Sequence, residues 1–159
     1  MRVLAIDPGY DRLGVAIMEL TSGREHLICS TCIETDRTSA IPERLATLGS
    51  ALAALITEHR PTALAIETLF FNQNQKTAIA VAQARGVAIF LAQQAGCAVY
   101  EFGPQEIKVA VTGYGKSDKA AVTRMVRTLV PTVRADARDD EYDAVAVGIT
   151  CLAQYGRAV

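Results

Sequence analysis

The chain opens Met1-Arg2-Val3-Leu4-Ala5-Ile6-Asp7-Pro8-Gly9, and its first apolar run, Val3 to Ile6, limits the fold more than any later stretch. No polar residue alternates within the run, so it describes a strand buried on both faces. Asp7 ends the strand and Pro8-Gly9 turns the chain, because proline fixes φ and glycine tolerates positive φ. A carboxylate is thereby held at the carboxyl end of a central strand. In open α/β sheets that rim is where ligands bind.

The following residues build outward from this strand. Leu13 to Leu20 reads as a second strand, Thr21-Ser22-Gly23-Arg24 as a hairpin turn and His26 to Glu34 as a third strand. Three strands from contiguous sequence suggest an antiparallel meander. Leu45, Leu48, Leu52, Leu55 and Ile56 then recur at helical spacing, with Pro42 near the start and Pro61 as the stop. Thr62 to Glu67 repeats the logic of the opening: a short apolar run that ends in one carboxylate. A helix between the third and fourth strands signals a crossover to a parallel strand, and if that strand lies beside the first, Asp7 and Glu67 share a rim. Asn74 to Gln94 reads as a helix that is apolar around nearly its whole circumference. Such a helix buries two sides, one against the sheet and the other against a second subunit, with Gly86 permitting close approach. Cys97 to Phe102 gives a fifth strand; Gln105 to Val111, Lys119 to Val130 and Asp140 to Tyr155 give further helices. No repeat or low-complexity tract interrupts the 159 residues, which reads as one domain over 1–159.

Charge and cysteine content exclude several classes. The formal net charge is −1, so no overall cationic field advertises a nucleic-acid partner, and any DNA-binding surface has to be local. One local excess exists: Glu101 to Arg138 carries seven basic residues (Lys108, Lys116, Lys119, Arg124, Arg127, Arg134, Arg138) against four acids. The apolar amino terminus is too short for a signal peptide, and the greasiest later stretch, Thr77 to Ala92, is broken by Gln83 and Arg85. A cytoplasmic protein without membrane contact is expected. Cys29, Cys32, Cys97 and Cys151 read as reduced hydrophobes, since neither His26 nor His59 completes a zinc set and residues three apart on a strand face opposite ways.

The last helix opens Asp139-Asp140-Glu141-Tyr142-Asp143-Ala144. Acids early in a helix suit its dipole, which accounts for Asp139 or Asp140. It accounts less well for Asp143, which leads straight into an apolar run and is costly there unless paired. Asp7, Glu67, Asp140 and Asp143 thus form a cluster of four acids with no obligate basic partner. Their mutual repulsion asks for a cation, and oxygen-only ligands select hard ions, Mg²⁺ first and Mn²⁺ second. Two such ions about 4 Å apart can activate water and stabilise a leaving oxygen in phosphodiester hydrolysis. Gly113-Tyr114-Gly115-Lys116-Ser117 imitates a P-loop but lacks the upstream glycine, which is Ala110, and reads as a turn before a helix capped at Ser117. Phe70-Phe71 in a polar loop after the Glu67 strand are suited to stacking on exposed bases.

Ile6-Asp7-Pro8-Gly9, Ala65-Ile66-Glu67 with Phe70 three residues on, Gln83-Ala84-Arg85-Gly86-Val87-Ala88 and Asp140-x-x-Asp143-Ala144 occur in order over the whole length. In this ordered set the chain resembles the RuvC family of Holliday junction resolvases, the crossover junction endodeoxyribonucleases. The resemblance implies a ribonuclease-H-like α/β fold, a five-stranded mixed sheet in order 3-2-1-4-5 flanked by helices on both faces. It implies a homodimer whose two sites nick opposed strands of a four-way DNA junction, in recombination and repair, and contact with a branch-migration motor. Asp7, Glu67, Asp140 and Asp143 would take the family's catalytic, metal-binding positions, with Asp139 an alternative to Asp140. Phe70 would insert near the junction point and Lys108 and Lys119 would face the scissile strand. Phe71, Lys76, Arg85 and Lys116 would add DNA contacts; Ala82, Gly86, Ile89 and Phe90 would lie at the dimer interface. The products would carry 5′-phosphate and 3′-hydroxyl ends. Asp11 and Arg12 depart from the expected form of their loop and have no assigned role.

An actin-like or sugar-kinase ATPase begins with a similar Asp-x-Gly hairpin, but needs two such domains to enclose its nucleotide. A non-catalytic member of the same fold would tolerate loss of the acids, and all four are present.

Overall fold

The computed structural model describes residues 1–69 and 75–156, with the side chains of Gln75 and Lys76 outside the description. Its elements run β1 (Arg2–Asp7), β2 (Arg12–Thr21), β3 (Arg24–Glu34), α1 (Ile41–His59), β4 (Ala63–Glu67), α2 (Gln75–Gln94), β5 (Ala98–Phe102), α3 (Pro104–Thr112), α4 (Lys119–Leu129) and α5 (Asp139–Tyr155). The five strands form one mixed sheet in the order β3-β2-β1-β4-β5, the order expected from the sequence.

The topology follows from local signals. Ser22 and Gly23 both take positive φ, 53° and 76°, the two-residue turn whose twist suits a tight hairpin between β2 and β3. The α1 crossover returns the chain so that β4 pairs parallel with β1, Val3 to Ile6 opposite Ala63 to Ile66. Parallel pairing with a crossover helix covers both faces, as the unalternating apolar run at Val3 to Ile6 requires.

The sheet separates two cores. Val3 and Ala5 face one side, where α3, α4 and α5 pack; Leu4 and Ile6 face the other, with α1 and α2. All four are essentially without solvent exposure. Helix α5 lies close on its face because Gly148 has no side chain: a Cβ there would stand 2.5 Å from Met18 Sδ and 3.2 Å from Ala5 Cβ. That close seat presses the amino end of α5 against the strand rim.

Helix α2 buries Ala84, Ala88 and Ala92, a stripe at four-residue spacing, against the sheet. Ile79 and Phe90 stand on another stripe, 70% and 61% exposed, with Gly86 between them and open space over it. One detail of the sequence reading changes. Asp118, not Ser117, caps α4: its carboxylate accepts from the Ala121 backbone N–H at 2.7 Å. Ser117 Oγ instead shares a hydrogen bond with Thr112 Oγ1 at 2.7 Å, closing the turn between α3 and α4. Gly113, at φ 77°, ends α3 in the left-handed conformation, so the glycine-rich stretch serves a turn and not a phosphate cradle.

Candidate active site

The last residues of β1 and β4 are Asp7 and Glu67, and the register Ile6 opposite Ile66 sets them side by side at the carboxyl rim. The first turn of α5 reaches the same place from above the sheet. Gly14 makes this possible. It pairs with Asp7 across β1 and β2, and a Cβ on it would fall 1.9 Å from the Asp140 carbonyl oxygen. Only a glycine lets the helix backbone settle on the strand there. Asp140 and Asp143, one turn apart, are thereby delivered to Asp7.

The electrostatics show how crowded the four acids are. Burial, then the charges of Asp143, Glu67 and Asp140, push the Asp7 carboxyl up to about 8, with Lys119 opposing. Glu67 is raised by burial and by Asp143, against the pull of Lys108. Asp143 is raised by burial despite its hydrogen bond from Lys119. Of the two adjacent acids at the helix start, Asp140 acts on Asp7 and Asp139 is not among the charges acting on it; the Asp139 side chain is 74% exposed against 17% for Asp140.

The expectation of no basic partner is corrected. Lys119, first residue of α4, places Nζ 3.0 Å from Asp143 and 3.5 Å from Asp139. Burial works against its charge, yet these acids hold its pKa above the usual lysine value. Arg12 Nε lies 3.1 Å from Asp140 Oδ2. Two organic cations therefore already neutralise part of the nest, and among the described residues no three His, Cys, Asp or Glu side chains gather closely enough to hold an ion. The donor set nonetheless suits one. Four oxygen-only carboxylates from three elements, crowded enough to lift one of them towards neutrality, match a hard divalent cation such as Mg²⁺ or Mn²⁺.

Beside the acids opens a cleft of about 760 Å³, lined by Asp7, Pro8, Glu67, Lys108, Lys116 and the neighbouring turn residues. A smaller hollow of about 210 Å³ adjoins it, lined by Glu67, Lys108, Lys119 and Asp143. Lys108, Lys116 and Lys119 thus border the space into which the acids face. Arg85 is engaged elsewhere: it ion-pairs with Glu101 and donates from Nε to the Glu67 carbonyl at 3.4 Å. It ties α2 to the ends of β4 and β5. Phe70 and Phe71 lie outside the described residues, and so does the side chain of Lys76. Ala82 and Ile89 are half-buried, while Gly86 and Phe90 are exposed.

Several residues that shape the site were not legible as such. Arg44, only 6% exposed on α1, ion-pairs with Asp11, donates to Thr35 Oγ1 at 2.9 Å and to the Tyr10 carbonyl at 3.1 Å, and stacks 4.4 Å over the Tyr10 ring. Arg37 adds a second pair to Asp11 at 3.2 Å. This brace fixes the loop that follows Asp7. Glu141, 2% exposed, accepts from Ser30 Oγ at 2.7 Å, from the Arg138 backbone at 3.2 Å and from Arg134 at 3.2 Å. It seats the first turn of α5 against β3. The acidic first turns of α5 gave no sign that Glu141 would be the acid buried against β3.

A family model for "Crossover junction endodeoxyribonuclease RuvC" matches residues 3–151. Among curated relatives, the crossover junction endodeoxyribonuclease RuvC of Alkaliphilus oremlandii is 42% identical over 156 residues, covering 98% of this chain and 94% of that protein. That of Thermosipho melanesiensis is 40% identical over 153 residues, covering 96% and 97%. Among solved structures, Thermus thermophilus RuvC superposes with a TM-score of 0.88 at 29% identity, covering 99% of this chain and 96% of that one. The same protein in complex with a Holliday junction substrate gives a TM-score of 0.91 at 28% identity, with the same coverage.

Proposed function

The chain belongs to the RuvC family of crossover junction endodeoxyribonucleases, and from that premise we propose how its rim acids and flanking lysines cut DNA. The protein is a nuclease that resolves four-way DNA junctions, the substrate carried by its Thermus thermophilus relative in complex. Its place is homologous recombination and repair. The observation that carries the catalytic assignment is the convergence of Asp7, Glu67, Asp140 and Asp143 at one rim, where burial and mutual repulsion lift Asp7 to about 8.

Asp7, Glu67, Asp140 and Asp143 would hold Mg²⁺, with Mn²⁺ as a substitute and two ions per site. Such ions supply an activated water and charge stabilisation at the leaving 3′ oxygen, which leaves 5′-phosphate and 3′-hydroxyl ends. The protein's own residues arrange the rest. Lys108 and Lys116 border the open cleft and would draw a strand's phosphates over the acids. Lys119 holds the Asp143 carboxylate in place at 3.0 Å and would carry positive charge beside the scissile phosphate. Pro8 and the braced loop after it keep Asp7 rigid, so the strand end aims the carboxylate without rearrangement. Phe70 and Phe71 follow β4 by three and four residues and would meet unpaired bases at the junction point.

A homodimer completes the reading. Resolution needs two opposed nicks, and the exposed Ile79, Gly86 and Phe90 stripe of α2 supplies an apolar face for a second copy. Contact with a branch-migration motor belongs to the same proposal. The residues 1–159 act as one nuclease domain. Nicking of a synthetic four-way junction, with and without Mg²⁺ and with plain duplex as control, tests the function. Paired nicks in the junction alone, dependent on the ion, are expected; ion-independent cutting or equal cutting of duplex would contradict it.

A further inference from the structure

The sequence reading leaves Arg12 without a role. We propose that Arg12 is the resident counter-cation of Asp140: it holds that carboxylate while the nest is free of metal and, by competing for it, sets how tightly a divalent ion binds. The inference rests on the reading of the acid nest as an ion site.

Three observations carry it. The first is the contact itself, with Arg12 Nε 3.1 Å from Asp140 Oδ2. Cys32 Sγ lies 3.9 Å from the same oxygen, so Oδ2 is the atom for which an ion would have to compete. The second is the difference in exposure. Asp140 is 17% exposed and crowded by other acids, whereas Arg12 is 46% exposed. The guanidinium can swing to solvent at little cost; the carboxylate cannot leave. The third is how firmly Arg12 is delivered. A Cβ on Gly9 would stand 2.0 Å from the Arg12 carbonyl oxygen, so the turn is as tight as glycine permits. Thr35 Oγ1 donates to the Tyr10 carbonyl at 2.6 Å, and the Thr35 backbone N–H donates to the Asp11 carbonyl at 3.0 Å. Arg44 ties Asp11 and Tyr10 from below. Arg12 itself pairs with Glu34 in the β2–β3 register.

The consequence follows from linkage. A group that stabilises the ion-free nest more than the ion-loaded one must weaken ion binding by the same factor. Lys119 plays this part for Asp143 from α4; Arg12 plays it for Asp140 from β2, on the other flank.

The test compares wild type, Arg12→Ala and Arg12→Lys without DNA. Melting temperature is read in chelator and in saturating Mn²⁺, and Mn²⁺ affinity is read from the paramagnetic resonance signal of the free ion. In chelator Arg12→Ala should melt about 3 °C lower, with the loss shrinking in saturating Mn²⁺. Its Mn²⁺ dissociation constant should tighten about five-fold, and Arg12→Lys should recover most of both shifts. Unchanged or weaker Mn²⁺ binding, or an equal melting loss with and without the ion, would overturn the proposal and leave Arg12 a structural tie. Asp7→Asn serves as the control for the nest: if it binds Mn²⁺ as wild type does, the ion-site reading fails and this inference with it.

Discussion

Asp7 is held by its neighbours on every side: a strand partner at Gly14, the end of β4 beside it, a proline after it, and three acids acting on its charge. Asp7→Asn should reduce junction cutting by at least about 10³-fold while junction binding in chelator stays within about two-fold, if the proposed phosphate contacts are those of the lysines. Gel-shift and nicking assays on one preparation check both. The raised pKa also fixes a stability trend. The unfolded carboxyl titrates near 3.8 and the folded one near 8, so between these values the folded chain binds more protons than the unfolded chain. Stability of the metal-free protein is therefore greatest at the acid end of that window and falls as pH rises through it. Glu67 and Asp143, also raised, act in the same direction. Melting curves in chelator should shift downward between about pH 5 and pH 8, more steeply in wild type than in Asp7→Asn. The four acids were legible because each sits at a readable place, a strand end or a helix start. The pairings of Arg12, Arg44 and Lys119 with their acids were not, since each reaches its acid across a turn of tertiary structure that no local pattern encodes.

The elements matter through how closely they approach. Helix α5 carries two of the acids, and at Gly14 and Gly148 its backbone or the side chains beneath it would collide with a Cβ. Gly14→Ala should cost about 2–4 kcal/mol in denaturant unfolding and carry Asp140 away from Asp7, with cutting lost in proportion. A fold that keeps wild-type stability and activity with alanine at 14 would mean that the strand and helix are not in that contact. The parallel crossover and most element boundaries could be read from periodicity, because β1 and β4 show unalternating apolar runs and α1 shows a clean stripe; the full strand order came from the family resemblance. The cap of α4 was misplaced by one residue: Ser117 and Asp118 are both good cap residues, and only the backbone direction chooses between them. The burial of Glu141 was equally hidden, since its partners lie on β3 and in the preceding loop.

For the whole molecule the decisive feature is the uncovered stripe of α2. Exposing Ile79 and Phe90 on one helix while Ala84, Ala88 and Ala92 face the sheet is an arrangement suited to a second copy. Phe90→Glu should weaken self-association at least about 100-fold by sedimentation and uncouple the two nicks on a junction, while leaving the monomer's stability nearly unchanged. Dimerisation unaffected by that charge would place the interface elsewhere. No helix among the described residues is long and apolar enough to cross a membrane. The most direct measurement of the joint role of the four acids is anomalous diffraction from crystals of the protein grown with Mn²⁺. Peaks shared among the side-chain oxygens of Asp7, Glu67, Asp140 and Asp143, at about 2.2 Å from them, are expected. Manganese bound at other residues, with that rim left empty, would contradict it.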